Sequence, residues 1–107
     1  MSEEQKEINV YESRRFEKTM KKLPYSQQKV IDDQIDRIIE NPEIGQKKNG
    51  DLSHMRVHKF LLDNQMALLG YSWVEDKLEI YILQFGSHEN FYDDAKVQRK
   101  TDLKLIK

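Results

Sequence analysis

The sequence predicts an α+β fold, in which a helical hairpin packs on an antiparallel sheet in the order β-α-α-β-β-β-α. Apolar residues recur at helical spacing between residues 14 and 40, whereas they alternate or run continuously, as in strands, between residues 55 and 86. A proline interrupts the helical part, and pairs of turn residues interrupt the other part. The length of 107 residues suits one domain that spans the whole chain and has a single modest core.

One strand and two helices are predicted in the first half of the chain. Residues 7–12 alternate apolar and polar side chains and therefore predict a short strand. Ser13 is suited to cap a helix that ends at Pro24, and Ser26 is suited to cap a second helix. Asn41 ends the second helix because the residue before a proline is pushed out of helical geometry. Two helices joined at a proline corner predict an antiparallel hairpin.

Three strands are predicted in the second half, after a polar loop at residues 42–53. The pairs Asp63-Asn64 and Glu75-Asp76 separate these strands, and connections of two residues imply tight hairpins in an antiparallel meander. The predicted strands are Met55–Leu62, Gln65–Val74 and Lys77–Gly86.

The last of these strands is apolar on both sides, so the sheet needs cover on both faces. Strict alternation places Phe85 on the face opposite Ile82. The helical hairpin would cover one face, and a last helix over residues 90–99 would cover part of the other. Residues 1–6 and 100–107 are expected to be disordered.

The composition excludes several classes of protein. The chain has no cysteine, which excludes disulfides and thiolate metal sites. It has no apolar run near the roughly 18–20 residues that cross a bilayer, and its acidic, polar start lacks the pattern of a secretory signal. We therefore expect a cytoplasmic protein with no membrane partner.

The charges are segregated although the formal net charge is only −1. Residues 14–22 and 44–60 are mainly basic, whereas residues 31–43 are mainly acidic. This distribution can leave a positive face that attracts phosphate. The alternative is that these are ordinary solvated helix faces.

Four segments of the chain together resemble a known family. They are Gly50–Leu52, Val57–Phe60, Asn64–Tyr71 and Phe85–Tyr92, and the last contains the sequence HENFY, which is the most specific part. The chain resembles the RelE/ParE superfamily of toxins from type II toxin–antitoxin systems over roughly residues 7–99. The resemblance implies a RelE/ParE-like fold with a curved sheet, and a cognate antitoxin that wraps around the toxin.

The resemblance leaves the target open. RelE-like members cleave mRNA, commonly on the ribosome, whereas ParE-like members inhibit DNA gyrase without enzymatic activity. A third alternative is a degenerate toxin that acts only as a binding partner of its antitoxin. Cleavage of the RelE kind implies an endonuclease that needs neither a metal nor another cofactor, with mRNA and the ribosome as partners.

Four residues are predicted to catalyse such cleavage. RelE-like enzymes vary in their catalytic residues, and one version has a histidine followed four positions later by an aromatic residue, which His88 and Tyr92 match. If the last helix begins near Ser87, this spacing places both rings on one side of it. Histidine changes charge near neutral pH and can act as acid or base. The alternative is that His88 only caps the helix and Tyr92 packs beneath it.

Arg56 and His58 share one face of their strand, where Arg56 would stabilise phosphate and His58 would transfer a second proton. Lys59 alternates to the other face, which argues against a phosphate role for it.

Three further residues are candidates for RNA binding. Lys47 and Lys48, in the polar loop, are suited to contact the RNA backbone, and His54 is a weaker candidate in the same loop. The alternative for the two lysines is a solvated loop. The three histidines of the chain lack the spacing of a metal site. Asp93 and Asp94 follow Tyr92, and their charges would repel phosphate, which favours the non-enzymatic alternatives.

Overall fold

A computed structural model describes residues 7–106, and within them a five-stranded mixed sheet runs in the order β1-β5-β4-β3-β2. β1 is parallel to β5, and every other neighbouring pair is antiparallel. The α+β class and the three-stranded meander are confirmed, whereas a two-residue strand inside the predicted polar loop was not expected. The strands are β1 (Asn9–Glu12), β2 (Gln46–Lys47), β3 (Arg56–Leu62), β4 (Gln65–Val74) and β5 (Glu79–Ser87).

The two connections of the meander differ. Asp63 and Asn64 both have positive φ angles, of 52° and 67°, so they form the tight hairpin turn that the sequence predicts. Glu75–Lys77 forms a 3-10 turn instead, and Leu78 after it has a φ of 55°. The prediction of a two-residue turn at Glu75-Asp76 is therefore wrong, and β5 begins at residue 79 rather than 77.

The predicted helical hairpin is confirmed as α1 (Arg14–Lys21) and α2 (Tyr25–Glu40). Ser13 caps α1, because its Oγ accepts a hydrogen bond from the Phe16 amide at 3.0 Å. The predicted cap at Ser26 is wrong, since α2 already begins at Tyr25 and Pro24 occupies the N-cap position without a side-chain bond.

The two helices bury a cluster on one side of the sheet, which we call the hairpin face. Tyr71 and Trp73 belong to it, as the strand pattern predicts for core residues. A register shift between Gly70 and Tyr71 also turns Phe85 to this face, so the prediction from strict alternation is wrong for Phe85. The buried members are Phe16, Ile31, Ile35, Ile38, Phe60, Ala67, Leu69, Tyr71, Ile80 and Ile82.

The opposite side of the sheet, which we call the α3 face, packs against α3 (Phe91–Val97). A second helix, α4 (Arg99–Ile106), follows where the sequence predicts disorder over residues 100–107. That prediction is wrong for residues 100–106, because Asp102 is fully buried in an ion pair with Arg15. The buried members of this cluster are Leu52, Met55, Val57, Leu68, Tyr81, Leu83, Phe91 and Ala95.

Two predictions concern residues that the structure does not describe. The predicted disorder of residues 1–6 lies outside the described residues, as does residue 107. No helix within residues 7–106 combines the length and the apolar character needed to span a bilayer.

Candidate active site

His88 and Tyr92 lie together at the end of β5. Their ring centroids are 6.1 Å apart, with an angle of 82° between the ring planes, an edge-to-face arrangement. His88 is exposed in the turn after β5, and Tyr92 is half-buried on α3. The predicted pairing is thus confirmed, but its expected cause is wrong, since α3 begins at Phe91 and His88 precedes the helix.

Lys48 brings a positive charge to this pair. Its Nζ lies 5.1 Å from the centroid of the Tyr92 ring, within the range of a cation–π contact. The same ammonium donates a hydrogen bond of 3.2 Å to Gln46 Oε1. Lys47, the preceding residue, is exposed and pairs with Arg56 across the strands. The structure therefore brings only one of the two predicted RNA-binding lysines to the rings.

Phe91 positions α3 on the sheet. Its ring packs edge-to-face against Tyr92, with centroids 5.4 Å apart, and the residue is 2% exposed. A Cβ at Gly70 would lie only 2.9 Å from Phe91 Cζ, so the aromatic ring occupies the space that a side chain on β4 would need. Glycine at this position therefore allows Phe91, and with it Tyr92, to approach the strand closely.

Lys59 lies on the α3 face, together with the predicted ring pair. It pairs with Leu68 of β4, which in turn pairs with Gly86 near the end of β5. Cross-strand partners point to the same side of a sheet, and Leu68 belongs to the cluster under α3. The alternation of β3 argued against a phosphate role for Lys59, because Lys59 lies on the opposite face from Arg56. The strand register fixed by the Asp63-Asn64 turn could have predicted that Lys59 faces the same side as Leu68 and Gly86.

Arg56 and His58 lie on the hairpin face instead. His58 Nε2 is 2.7 Å from Gln34 Oε1 on α2, and Arg56 Nη1 donates to the carbonyl oxygens of Glu43 and Gly45 at 3.2 and 2.8 Å. Burial, and after it the charge of Arg37, lowers the pKa of His58. The four predicted catalytic residues therefore do not share one face, because Arg56 and His58 point to the side of the sheet that the helical hairpin covers.

His54 is largely buried rather than exposed on the surface. Its side chain is 10% exposed and lies beneath α4, with Nε2 4.0 Å from Asp102 Oδ2. Burial lowers the pKa of His54, against the opposing effect of the Asp102 carboxylate. The structure thus places His54, which the sequence predicts as a weaker RNA-binding candidate in the loop, beneath a helix that was not expected.

The α3 face thus carries an imidazole, a phenol with the Lys48 ammonium over its ring, and the exposed side chain of Lys59 on β3. Leu61 and Met66 continue this face toward the strand ends, where they are 63% and 45% exposed. Among residues 7–106, no group of three or more His, Asp or Glu side chains is arranged to hold a metal ion. Proton transfer by the rings and stabilisation of negative charge by the lysines are the chemistry available here.

Comparison with known proteins identifies a family. The family model described as "ParE-like toxin of type II bacterial toxin-antitoxin system" matches residues 10–96. No protein of curated function matches the sequence.

Several solved structures share the fold. The toxin in the intact Escherichia coli RelBE toxin–antitoxin complex is 18% identical, with a TM-score of 0.62 over 78% of this chain and 99% of that one. A mutant of E. coli RelE in the free state is also 18% identical, with a TM-score of 0.67 over 86% and 96%. The same mutant in complex with a peptide of the antitoxin RelB is 19% identical, with a TM-score of 0.61 over 82% and 93%. At these identities the likeness establishes the fold alone.

Proposed function

We propose that this chain, which belongs to the ParE-like toxins of type II bacterial toxin–antitoxin systems, is an endonuclease that cleaves mRNA on the ribosome and thereby inhibits translation. The observation that carries this proposal is the edge-to-face pair of His88 and Tyr92 with the Lys48 ammonium over the phenol ring. A proton-transferring imidazole beside fixed positive charge is what cleavage of an RNA phosphodiester requires.

The proposed reaction is attack of a ribose 2′-oxygen on the neighbouring phosphorus atom. The bond from phosphorus to the 5′-oxygen breaks, which leaves a 2′,3′-cyclic phosphate and a 5′-hydroxyl end. His88 takes the proton from the 2′-hydroxyl, and Tyr92 provides the hydroxyl from which the leaving 5′-oxygen gains a proton. Lys48 and Lys59 stabilise the negative charge that develops on the phosphate oxygens.

We also propose that a cognate antitoxin binds and neutralises this protein in the cytoplasm. The family description places its members in toxin–antitoxin systems, and the similar E. coli RelE has been solved in complex with its antitoxin. Expression of the adjacent short reading frame with this chain, followed by copurification, tests for that partner.

Cleavage of ribosome-bound mRNA by the purified protein, mapped by primer extension, tests the activity. His88→Ala is expected to lower the cleavage rate by about 100-fold or more, since loss of a general base costs on the order of 10²- to 10⁴-fold. Tyr25→Ala is the control, because Tyr25 is 78% exposed on α2, away from the rings. An unchanged rate in His88→Ala would remove the catalytic role of His88.

A second candidate is a ParE-like protein that inhibits DNA gyrase without cleaving RNA. The exposed carboxylates of Asp93 and Asp94 directly after Tyr92, and the net charge of −1, favour it because both disfavour an approaching RNA backbone. Inhibition of gyrase supercoiling without RNA cleavage would support this candidate. Tight antitoxin binding without toxicity on induction would instead indicate a degenerate toxin.

A further inference from the structure

A chain of partly buried and buried hydrogen bonds begins at the ion pair between α1 and α4. Arg15 Nη1 donates to Asp102 Oδ1 at 2.6 Å, and Arg15 Nη2 donates to Asp102 Oδ2 at 2.9 Å. Asp102 is fully buried, and such a bidentate pair holds the planar guanidinium in one orientation. The fixed guanidinium then has donors left for a third partner.

That partner is Gln84 on β5, which is 7% exposed. Gln84 Oε1 accepts hydrogen bonds from Arg15 Nε at 3.2 Å and from Arg15 Nη2 at 3.0 Å. Its Nε2 donates to the carbonyl oxygen of Phe91 at 2.8 Å. The amide has only one orientation that satisfies both partners, because Arg15 can only donate and the Phe91 carbonyl can only accept.

The Phe91 carbonyl belongs to the first residue of α3. This helix has seven residues, too few to be stable by itself, and Asn90 at its N-cap makes no side-chain capping bond. Phe91 and Ala95 are buried against the sheet, and they hold the helix by packing. The bond from Gln84 adds a directional restraint at the end of the helix from which Tyr92 projects.

We infer that Gln84 is a positioning residue, which fixes the start of α3 and so holds Tyr92 against His88 in the geometry that cleavage requires. This role rests on the proposed ribonuclease function. Gln84 acts on the reaction only through Tyr92, and Arg15 and Asp102 act on it only through Gln84.

Two substitutions at Gln84 test the inference. Gln84→Glu keeps an oxygen for Arg15 but turns an oxygen toward the Phe91 carbonyl, whereas Gln84→Met removes the donor without adding charge. Each is expected to lower kcat for mRNA cleavage about 10- to 100-fold, as small displacements of reacting groups do, while KM changes by less than about threefold. In a Tyr92→Phe background each substitution is expected to lower kcat by no more than about a further twofold. The reason is that Tyr92→Phe removes the hydroxyl that Gln84 is proposed to position.

Gln28→Glu is the matched control. Gln28 Nε2 donates to the carbonyl oxygens of Met20 and Leu23 at 2.6 and 2.9 Å within the helical hairpin. Its substitution removes the same kind of bond far from Tyr92 and should leave kcat unchanged. An equal loss of kcat in Gln28→Glu, or losses that multiply in the double variants, would overturn the inference. Failure of both Gln84 variants to fold would do so too, since Gln84 would then serve the whole fold.

A magnetic resonance measurement separates this inference from the proposed function. Cross-peaks between the ring protons of His88 and Tyr92 are expected in the wild-type protein and in Gln28→Glu, and they should be lost in Gln84→Met. If the wild-type protein cleaves no RNA, the proposed function fails and the cross-peaks alone decide whether Gln84 positions Tyr92. Cross-peaks that persist unchanged in Gln84→Met would refute the positioning role.

Discussion

The polar residues on the two faces of the sheet have different surroundings. On the hairpin face, His58 and Arg56 are engaged by Gln34 and by backbone carbonyls of the preceding loop. On the α3 face, Lys59 is exposed in the middle of β3, and His88 is exposed in the turn after β5. Polar residues of similar type therefore hold the fold together on one face of the sheet and remain exposed to solvent on the other.

The largest effect on stability is expected from Gly70, whose position on β4 faces the cluster under α3. Gly70→Ala places a methyl group 2.9 Å from Phe91 Cζ and 3.0 Å from Met55 Sδ, so these buried side chains must move, at a cost of about 1–3 kcal/mol. Gly86→Ala is the matched control, because its Cβ would meet Phe91 at an ordinary 3.7 Å. Urea unfolding of both variants measures the difference, and equal free energies of unfolding would contradict the tight approach of Phe91.

A smaller effect is expected when charge is removed from each face. In the proposed reaction Lys59 stabilises charge on the phosphate, so Lys59→Met should slow cleavage about tenfold, or raise the activation free energy by about 1.4 kcal/mol. Arg56→Met should instead reduce the free energy of unfolding by about 1 kcal/mol, since it removes hydrogen bonds to two carbonyls. Cleavage assays and urea unfolding distinguish the two losses.

Lys29→Met is the control for Lys59→Met, because Lys29 is an exposed residue of α2. If both lysine variants lose activity equally, overall charge rather than position determines the rate.

The smallest effect is expected from His54, which lies under α4. Burial lowers its pKa, so the folded protein binds fewer protons at His54 than the unfolded chain does. The free energy of unfolding should therefore fall as pH decreases from about 7.5 to about 5, through the ordinary range of histidine. Urea unfolding across this range should give a flatter dependence on pH for His54→Gln. A dependence as steep as in the wild-type protein would exclude this contribution.

The sequence was sufficient for the elements whose signals are local. Helical spacing and Ser13 predicted the hairpin, and Asp63-Asn64 predicted the first turn of the meander. It was not sufficient for α4, because α4 depends on an ion pair between residues 15 and 102, 87 positions apart in the chain. No local pattern reveals such a contact, and a fully buried carboxylate contradicts the usual expectation for a charged residue.

The site was predictable only in part for a similar reason. The pairing of His88 with Tyr92 followed from the family resemblance, and the structure confirms that the two rings meet. Alternation correctly separated Arg56 from Lys59, but it could not tell which face α2 would cover. The sequence named Lys47 and Lys48 together, but to tell which of them meets the rings required knowledge of β2, whose two residues are too few to give a periodic signal.

The parallel pairing of β1 with β5 has a consequence for protein synthesis. β1 leaves the ribosome early, yet its partner residues are 79–82, and Ser13 Oγ donates to the Leu83 carbonyl 70 residues further along the chain. β1 therefore cannot form its hydrogen bonds with β5 until almost the whole polypeptide has been synthesised. His88 and Tyr92 emerge later still, so the residues of the proposed site join the nascent chain only as folding becomes complete.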